Sequence, residues 1–280
     1  MISFAKSDKN NPPFLPTLSI FLLIGLLQSL IHPQIIFSSE PKAGLKALLS
    51  AYPNRLKEAT EDFVIWQDGT KMSYDDGKKD KTFEELLSEG DLEDQMSMKY
   101  PVGEEVDYSP EENFDPGRVR YAPFFRKMYG NTKEEVKKNL TYIYWMPKTV
   151  NKKIAVTKVN DVYLKLIKIS EELEKLPDSQ KKYVTNIAGT FNWREIAGTG
   201  RLSMHSFGIA IDINTKHSNY WRWSKPNKSG KYIYKNRIPL KIVKIFEKHG
   251  FIWGGRWYHF DTMHFEYRPE LLINPSNSAR

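Results

Sequence analysis

The predicted fold class is α+β. Strand-like stretches lie near 154, 209 and 263, and helical stretches near 162 and 240. Residues 209–213, Ile-Ala-Ile-Asp-Ile, alternate strictly, the period of a half-buried strand. Val162, Leu166, Ile169, Leu173 and Leu176 recur at spacings of four and three, the stripe of an amphipathic helix. A chain of 280 residues suits one or two domains with a proper core.

Residues 1–40 read as a signal peptide or an N-terminal membrane anchor. Lys6 and Lys9 make a positive start, and Leu18–Ile31 is almost unbroken in its apolar character. That run is short for a membrane span and suits the core of an export signal. His32-Pro33 breaks any helix there. A short helix is expected within 44–58. Phe63–Tyr74 predicts a hairpin around Asp68-Gly69. Residues 78–118 are polar and acidic, and predict one helix, Phe83–Ser88, followed by long loops. Thr132 and Glu135 predict a capped helix through Leu140. Ile154–Val159 predicts a strand, and Asn160 or Asp161 the cap of the next helix, which Pro177 ends. Pro239 starts a later helix that Gly250 closes. Phe251–Gly255 leads into a final strand ended by Arg268-Pro269. Residues 41–150 are thus expected as an accessory region and 151–275 as the domain that carries the chemistry.

The absence of cysteine excludes disulfides, thiolate zinc sites and lipid attachment through an N-terminal Cys. The net charge of +8 is uneven, because residues 84–116 hold twelve acids and one Lys. The basic remainder favours a polyanion such as an anionic cell wall. No zinc finger, RNP-like aromatic motif or clean helix-turn-helix is present, so nucleic acid is not an expected partner.

Chemistry concentrates in two stretches. Residues 203–212, Ser-Met-His-Ser-Phe-Gly-Ile-Ala-Ile-Asp, hold His205 and Asp212, with Gly208 easing the backbone between them. Residues 257–266 hold Trp257, Asp261, His264 and Glu266. Two imidazoles and a carboxylate can make a three-ligand zinc site with one open position, and a further carboxylate could serve as base. Strand parity puts Glu266 on the face of His264 and Asp261 on the other, unless Asp261 lies in a turn where parity fails. Spacing leaves that choice open. His249, at a helix C-terminus, reads as structural, and His217 and His259 as structural or substrate-facing.

The run Ser203-x-His205-x-x-Gly208-x-Ala210-x-Asp212, followed by Asp261-x-x-His264-Phe265-Glu266, resembles the zinc D-alanyl-D-alanine carboxypeptidase and L-alanyl-D-glutamate endopeptidase family, the VanY-like metallopeptidases. The likeness covers roughly residues 185–270. Trp66-x-Asp68-Gly69-Thr70 and Asp91-Leu92-x-Asp94-Gln95 look like an accessory region attached to that family. The resemblance implies a hedgehog/DD-peptidase-like central antiparallel sheet with flanking helices. It implies one Zn2+ per chain, held by His205, Asp212 and His264, with Asp261 in the place of the general base. An arginine before the first ligand would hold the polarised carbonyl oxygen; Arg194 is favoured and Arg201 is the alternative. Ser203 would orient the ligand loop, and Trp253, Trp257 and Tyr258 are expected to wall the substrate groove. The implied substrates are peptidoglycan stem peptides, met outside the cell membrane by an exported monomer. The alternative expectation is a non-catalytic cell-wall-binding module with a structural zinc site.

Overall fold

The computed structural model describes residues 42–103 and 109–273. Predictions for the export segment, residues 1–40, fall outside them. No helix among the described residues is long and apolar enough to cross a membrane. All described residues belong to one compact unit, 38–280.

Helix α1 (Ala43–Ala51) buries Leu45, Ala47 and Leu48 and leads into a three-stranded antiparallel meander: β1 (Leu56–Ala59), β2 (Phe63–Trp66) and β3 (Lys71–Ser73). The predicted turn at Asp68-Gly69 joins β2 to β3, with Gly69 at φ +83°. Helix α2 (Phe83–Glu89) begins with a reciprocal capping box between Thr82 and Glu85. A second capping box, Asp91 with Asp94, starts α3 (Leu92–Ser97) inside the stretch predicted as loop. Its acids hid it, because carboxylates here cap helices and enclose Lys81, whose Nζ lies 2.5 Å from Asp94 and 3.1 Å from Asp76.

Helix α4 (Ala122–Tyr129) packs Phe124, Phe125, Met128 and Tyr129 into the core. Helix α5 (Lys133–Lys138) is capped by Thr132 as predicted, but it stops at Lys138 and Leu140 opens β4 (Leu140–Trp145). Strands β4 and β5 (Lys152–Thr157) form an antiparallel hairpin that spans residue 150. Helix α6 (Val162–Glu174) buries the predicted stripe. Neither predicted cap supplies a side chain to it: Asn160 and Asp161 both sit at φ +56°, and Asp161 makes no cap hydrogen bond. A short turn, α7 (Asp178–Lys181), follows Pro177.

The second antiparallel sheet of three strands comprises β6 (Ala210–Asp212), β7 (Phe251–Trp253) and β8 (His264–Tyr267), in the order β6-β8-β7. Helix α8 (Leu240–Lys248) leads into β7, and Phe246 stacks on Phe265 at 3.9 Å between ring centroids. The protein is therefore mixed α and β. Its strands are divided among three small antiparallel sheets, where the resemblance implied one central sheet. The strands of the functional sheet are three or four residues long, and loops carry much of the chain between them.

Candidate metal centre

The register of β6 against β8 builds the centre. Asp212 faces His264 directly and Ala210 faces Glu266, and directly opposed residues on one face lie side by side. His205 approaches from the turn Met204–Phe207 that precedes β6. Ser203 caps this turn, its Oγ accepting the His205 N–H at 3.4 Å. Gly208 closes it at φ +68°, and a Cβ there would stand 2.8 Å from Leu140 Cδ2 and 3.2 Å from the Thr157 nitrogen. Only glycine fits both the left-handed backbone and that approach.

Ligand atoms of His205, Asp212 and His264 all lie within 4.8 Å of one another. His205 Nδ1 lies 2.6 Å from the Thr190 carbonyl oxygen, which can only accept, so Nδ1 carries the proton. Its Nε2 then presents a lone pair 3.2 Å from Asp212 Oδ2, and this buried nitrogen has no hydrogen-bond partner among the described residues. His264 Nε2 lies 2.9 Å from Glu266 Oε2, and its Nδ1 3.0 Å from Asp212 Oδ1. With the Nε2 proton given to Glu266, Nδ1 also turns a lone pair toward Asp212. Two acceptor–acceptor contacts on one carboxylate need either extra protons on both rings or a cation among the three groups. This donor set, two imidazole nitrogens and a carboxylate, suits zinc.

The charges agree with that geometry. Burial would raise the Asp212 carboxyl, but His205 and His264 outweigh it and hold the group well below the usual carboxylate range. Burial alone would lower His264; its bonds to Asp212 and Glu266 raise it to about 9.

Asp261 lies in the turn before β8, bridged to Tyr220 and accepting the His264 N–H at 3.1 Å through its carbonyl. Strand parity therefore does not apply to it. Its carboxylate lines the same cleft as the three ligand groups, and Oδ1 is buried without a hydrogen-bond partner among the described residues. Burial, with the Asp212 charge adding to it, pushes Asp261 up to about 6, against His264 and Arg118. Close approach at Gly254, where a Cβ would lie 2.6 Å from the Asp261 carbonyl oxygen, sets this turn.

Glu266 has a different environment. It is fully buried and accepts from His264, from Arg120 Nη2 at 2.5 Å and from Arg268 Nη1 at 3.1 Å. Burial would raise its carboxyl, but Arg120 and His264 hold it well below the usual range. Every lone pair is engaged, so Glu266 orients the His264 ring.

The cleft holds about 150 Å³ and is lined by Arg118, Arg120, Arg194, Arg222, Tyr220 and Trp257 besides the groups above. Trp257 is buried, its ring 5.7 Å from that of His264. Trp253 and Tyr258 do not line the cleft. Arg194 stands exposed at the rim. Arg201 does not line the metal cleft but a neighbouring one.

Several contributors were missed in the sequence. Arg118 ends the acidic stretch predicted as loop, and Arg120 lies two residues beyond it. Ser206, fully buried, donates to the Arg194 carbonyl at 2.9 Å and so ties the upstream strap to the ligand turn. Arg268 shares strand parity with His264 and Glu266 and could have been found by it. Tyr52 donates to Glu270 at 2.6 Å, and Glu270 accepts from Arg268 at 2.5 Å. Thus a buried chain of bonds runs from the end of α1 to His264.

Residues 197–267 match the family model described as D-alanyl-D-alanine carboxypeptidase. No curated protein and no solved structure matches the chain. The matched residues, about a quarter of the chain, include His205, Asp212, Asp261, His264 and Glu266, and over this segment the chain is similar to the family described as D-alanyl-D-alanine carboxypeptidase.

Proposed function

We propose that the protein is an exported zinc peptidase of the cell envelope that hydrolyses a bond in the peptidoglycan stem peptide, by trimming a terminal D-Ala or by an L-Ala–D-Glu type of internal cut. The observation that carries this reading is the convergence of three ligand atoms within 4.8 Å beside the unpartnered oxygen of Asp261. His205 Nε2, Asp212 and His264 Nδ1 would hold the ion. Bound there, zinc supplies a Lewis acid that polarises a carbonyl and makes water nucleophilic at neutral pH.

The chain's own residues do the rest. Thr190 and Glu266 keep the protons on the far nitrogens of the two imidazoles, so that both lone pairs face the cleft. Asp261 accepts the proton of the attacking water and returns it to the leaving amine. An Asp is shorter than a Glu, so its reach depends on the turn packed against Gly254, which holds its backbone. Arg194 at the rim faces the developing oxyanion. Trp257 walls the cleft and keeps bulk water from the ligand side.

The test is metal content together with product analysis. The purified chain should retain about one zinc, the count expected of a single three-ligand site, and should release new amines from defined muropeptides, read by mass spectrometry. His205→Ala should lose both properties. Folded wild-type protein that takes up no zinc when supplied with it would sink the reading.

A further inference from the structure

Five arginines gather near the metal cleft, and the fold neutralises only some of them. Arg120 is held by Glu266. Arg118 lies 3.6 Å from Asp115 and donates to the His259 carbonyl at 2.8 Å. The side chains of Arg194 and Arg222 hydrogen-bond to backbone oxygens at 3.5 Å, Arg222 also lies 5.1 Å over the Trp221 ring, and both are exposed, so water solvates them.

Arg201 is different. It is half-buried, and its side chain has no hydrogen bond or ion pair among the described residues. Burial, with Arg120 and Arg118 as like-charged neighbours, pushes it down to about 10. A cation taken partly out of water beside two others is unfavourable unless something compensates it. Arg201 lines a chamber of about 210 Å³ together with Arg118, Arg222, Tyr220 and His259. Arg118, Tyr220, Arg222 and Ile196 line this chamber and the metal cleft alike, so the two adjoin.

Arg118 stands at the threshold. Its guanidinium lies 4.7 Å over the Trp257 ring, which is 5.7 Å from the His264 ring. Those contacts keep it within about 10 Å of His264, a span of roughly three extended residues. Its buried Nε has no hydrogen-bond partner among the described residues. His259 is fixed by Asp115, 2.6 Å from its Nδ1. Among the described residues, Glu84 is the one carboxylate lining the chamber; it is exposed and makes no ion pair with any of them.

We propose that Arg118 and Arg201 form a subsite for a carboxylate of the peptide substrate, next to the metal cleft, and that this subsite selects peptides carrying an acid group within about three residues of the bond cut. Two planar guanidiniums match the geometry of one carboxylate. The anion would supply the counter-charge that Arg201 does not find among the described residues. The subsite rests on the peptidase reading for its substrate, and the acid can be the C-terminal carboxylate or an acidic residue inside the peptide.

The experiment uses the full zinc-loaded chain and three synthetic peptides ending in D-Ala-D-Ala. One carries an internal Glu and a free C-terminus, one the C-terminal amide, and one Gln in place of Glu. Arg201→Gln should raise KM for the first peptide at least tenfold and leave kcat within twofold. Neutralising the recognised carboxylate should do the same to the wild type and add nothing in the variant, which identifies the source. Arg118→Lys, keeping charge but losing the fork, should weaken binding less. Equilibrium binding to Asp261→Asn, read by tryptophan fluorescence, separates the two claims. Arg201-dependent binding without hydrolysis by the wild type would retain the subsite and remove the peptidase reading. KM and Kd unchanged within twofold in Arg201→Gln, for all three peptides, would overturn the subsite.

Discussion

Asp261 and Glu266 are both carboxylates within three residues of His264, and their neighbours give them opposite tasks. Glu266 is surrounded by Arg120, Arg268 and His264 and has no free oxygen. Asp261 keeps a buried oxygen without a partner among the described residues. The two substitutions should therefore separate. Asp261→Asn should keep its zinc and lose about 10²–10⁴-fold in kcat, the usual worth of a general base. Glu266→Gln should bind zinc about 10–100-fold more weakly, because the ring of His264 loses its orienting partner. It should also lose about 3–5 kcal/mol of stability, because Arg120 and Arg268 would keep buried charges with one acid fewer. Chelator competition and thermal melts measure these effects; equal zinc affinity in the two variants would refute the division of labour. The cleft's own groups place Asp261 at about 6, and a bound cation favours its charged form. Asp261 would lose its proposed role as base when protonated, so activity should fall on the acid side, with the limb of kcat/KM lying below pH 6. Both acids were visible in the sequence as candidates. Their roles were not, because parity speaks only inside a strand and Asp261 sits in the turn before one.

At the scale of elements, the amphipathic helix α6 and the strand β6 were legible because their periods are strong and their apolar faces are buried as the periods require. Helix α3 was not, since its signal lies in two acids that cap and only Leu92 and Gln95 with Asp94 in burial. The ligand turn was legible through Gly208, and its reason is now plain. Leu140 at the start of β4 and Thr157 at the end of β5 press on that glycine, and the Gly208 carbonyl accepts the Thr157 N–H at 3.1 Å. The β4–β5 hairpin thus serves as a template against which His205 and Asp212 are brought to one side. Gly208→Ala should cost about 1–2 kcal/mol for the left-handed backbone alone. The contact with Thr157 adds to that cost, because a backbone nitrogen cannot swing away as a side chain can. Chemical denaturation would measure the loss, and zinc affinity should fall with it; a variant as stable as the wild type would mean that the turn has another way to close.

At the scale of the whole molecule, the division into an accessory region and a catalytic domain meets a shared interior. Leu45 and Leu48 of α1, Phe124 and Phe125 of α4, and Phe207 beside the ligand turn belong to one apolar core. Phe125 and Phe207 lie 6.1 Å apart, and the Arg268 guanidinium sits 5.0 Å over Phe125. From the same region come Arg118 and Arg120 of the cleft, and Tyr52, which holds Glu270 and through it Arg268. Sequence patterns located the proposed ligands, which sit close together in two short motifs. They could not locate these supports, because nothing local marks an arginine or a tyrosine that meets its partner 146 or 218 residues away. The consequence concerns autonomy. A fragment of residues 151–273 keeps every proposed ligand and Asp261, yet it exposes the underside of Phe207, deprives Glu266 of Arg120 and leaves Glu270 without Tyr52. Buried charges deprived of partners cost several kcal/mol each, against a total stability of about 5–15 kcal/mol for a domain. The fragment should therefore lack a cooperative unfolding transition and a dispersed amide spectrum, with or without zinc, while residues 42–273 should show both. A fragment that folds on adding zinc and binds it as tightly as the longer chain would show that the N-terminal region is an attachment and not part of the site's foundation.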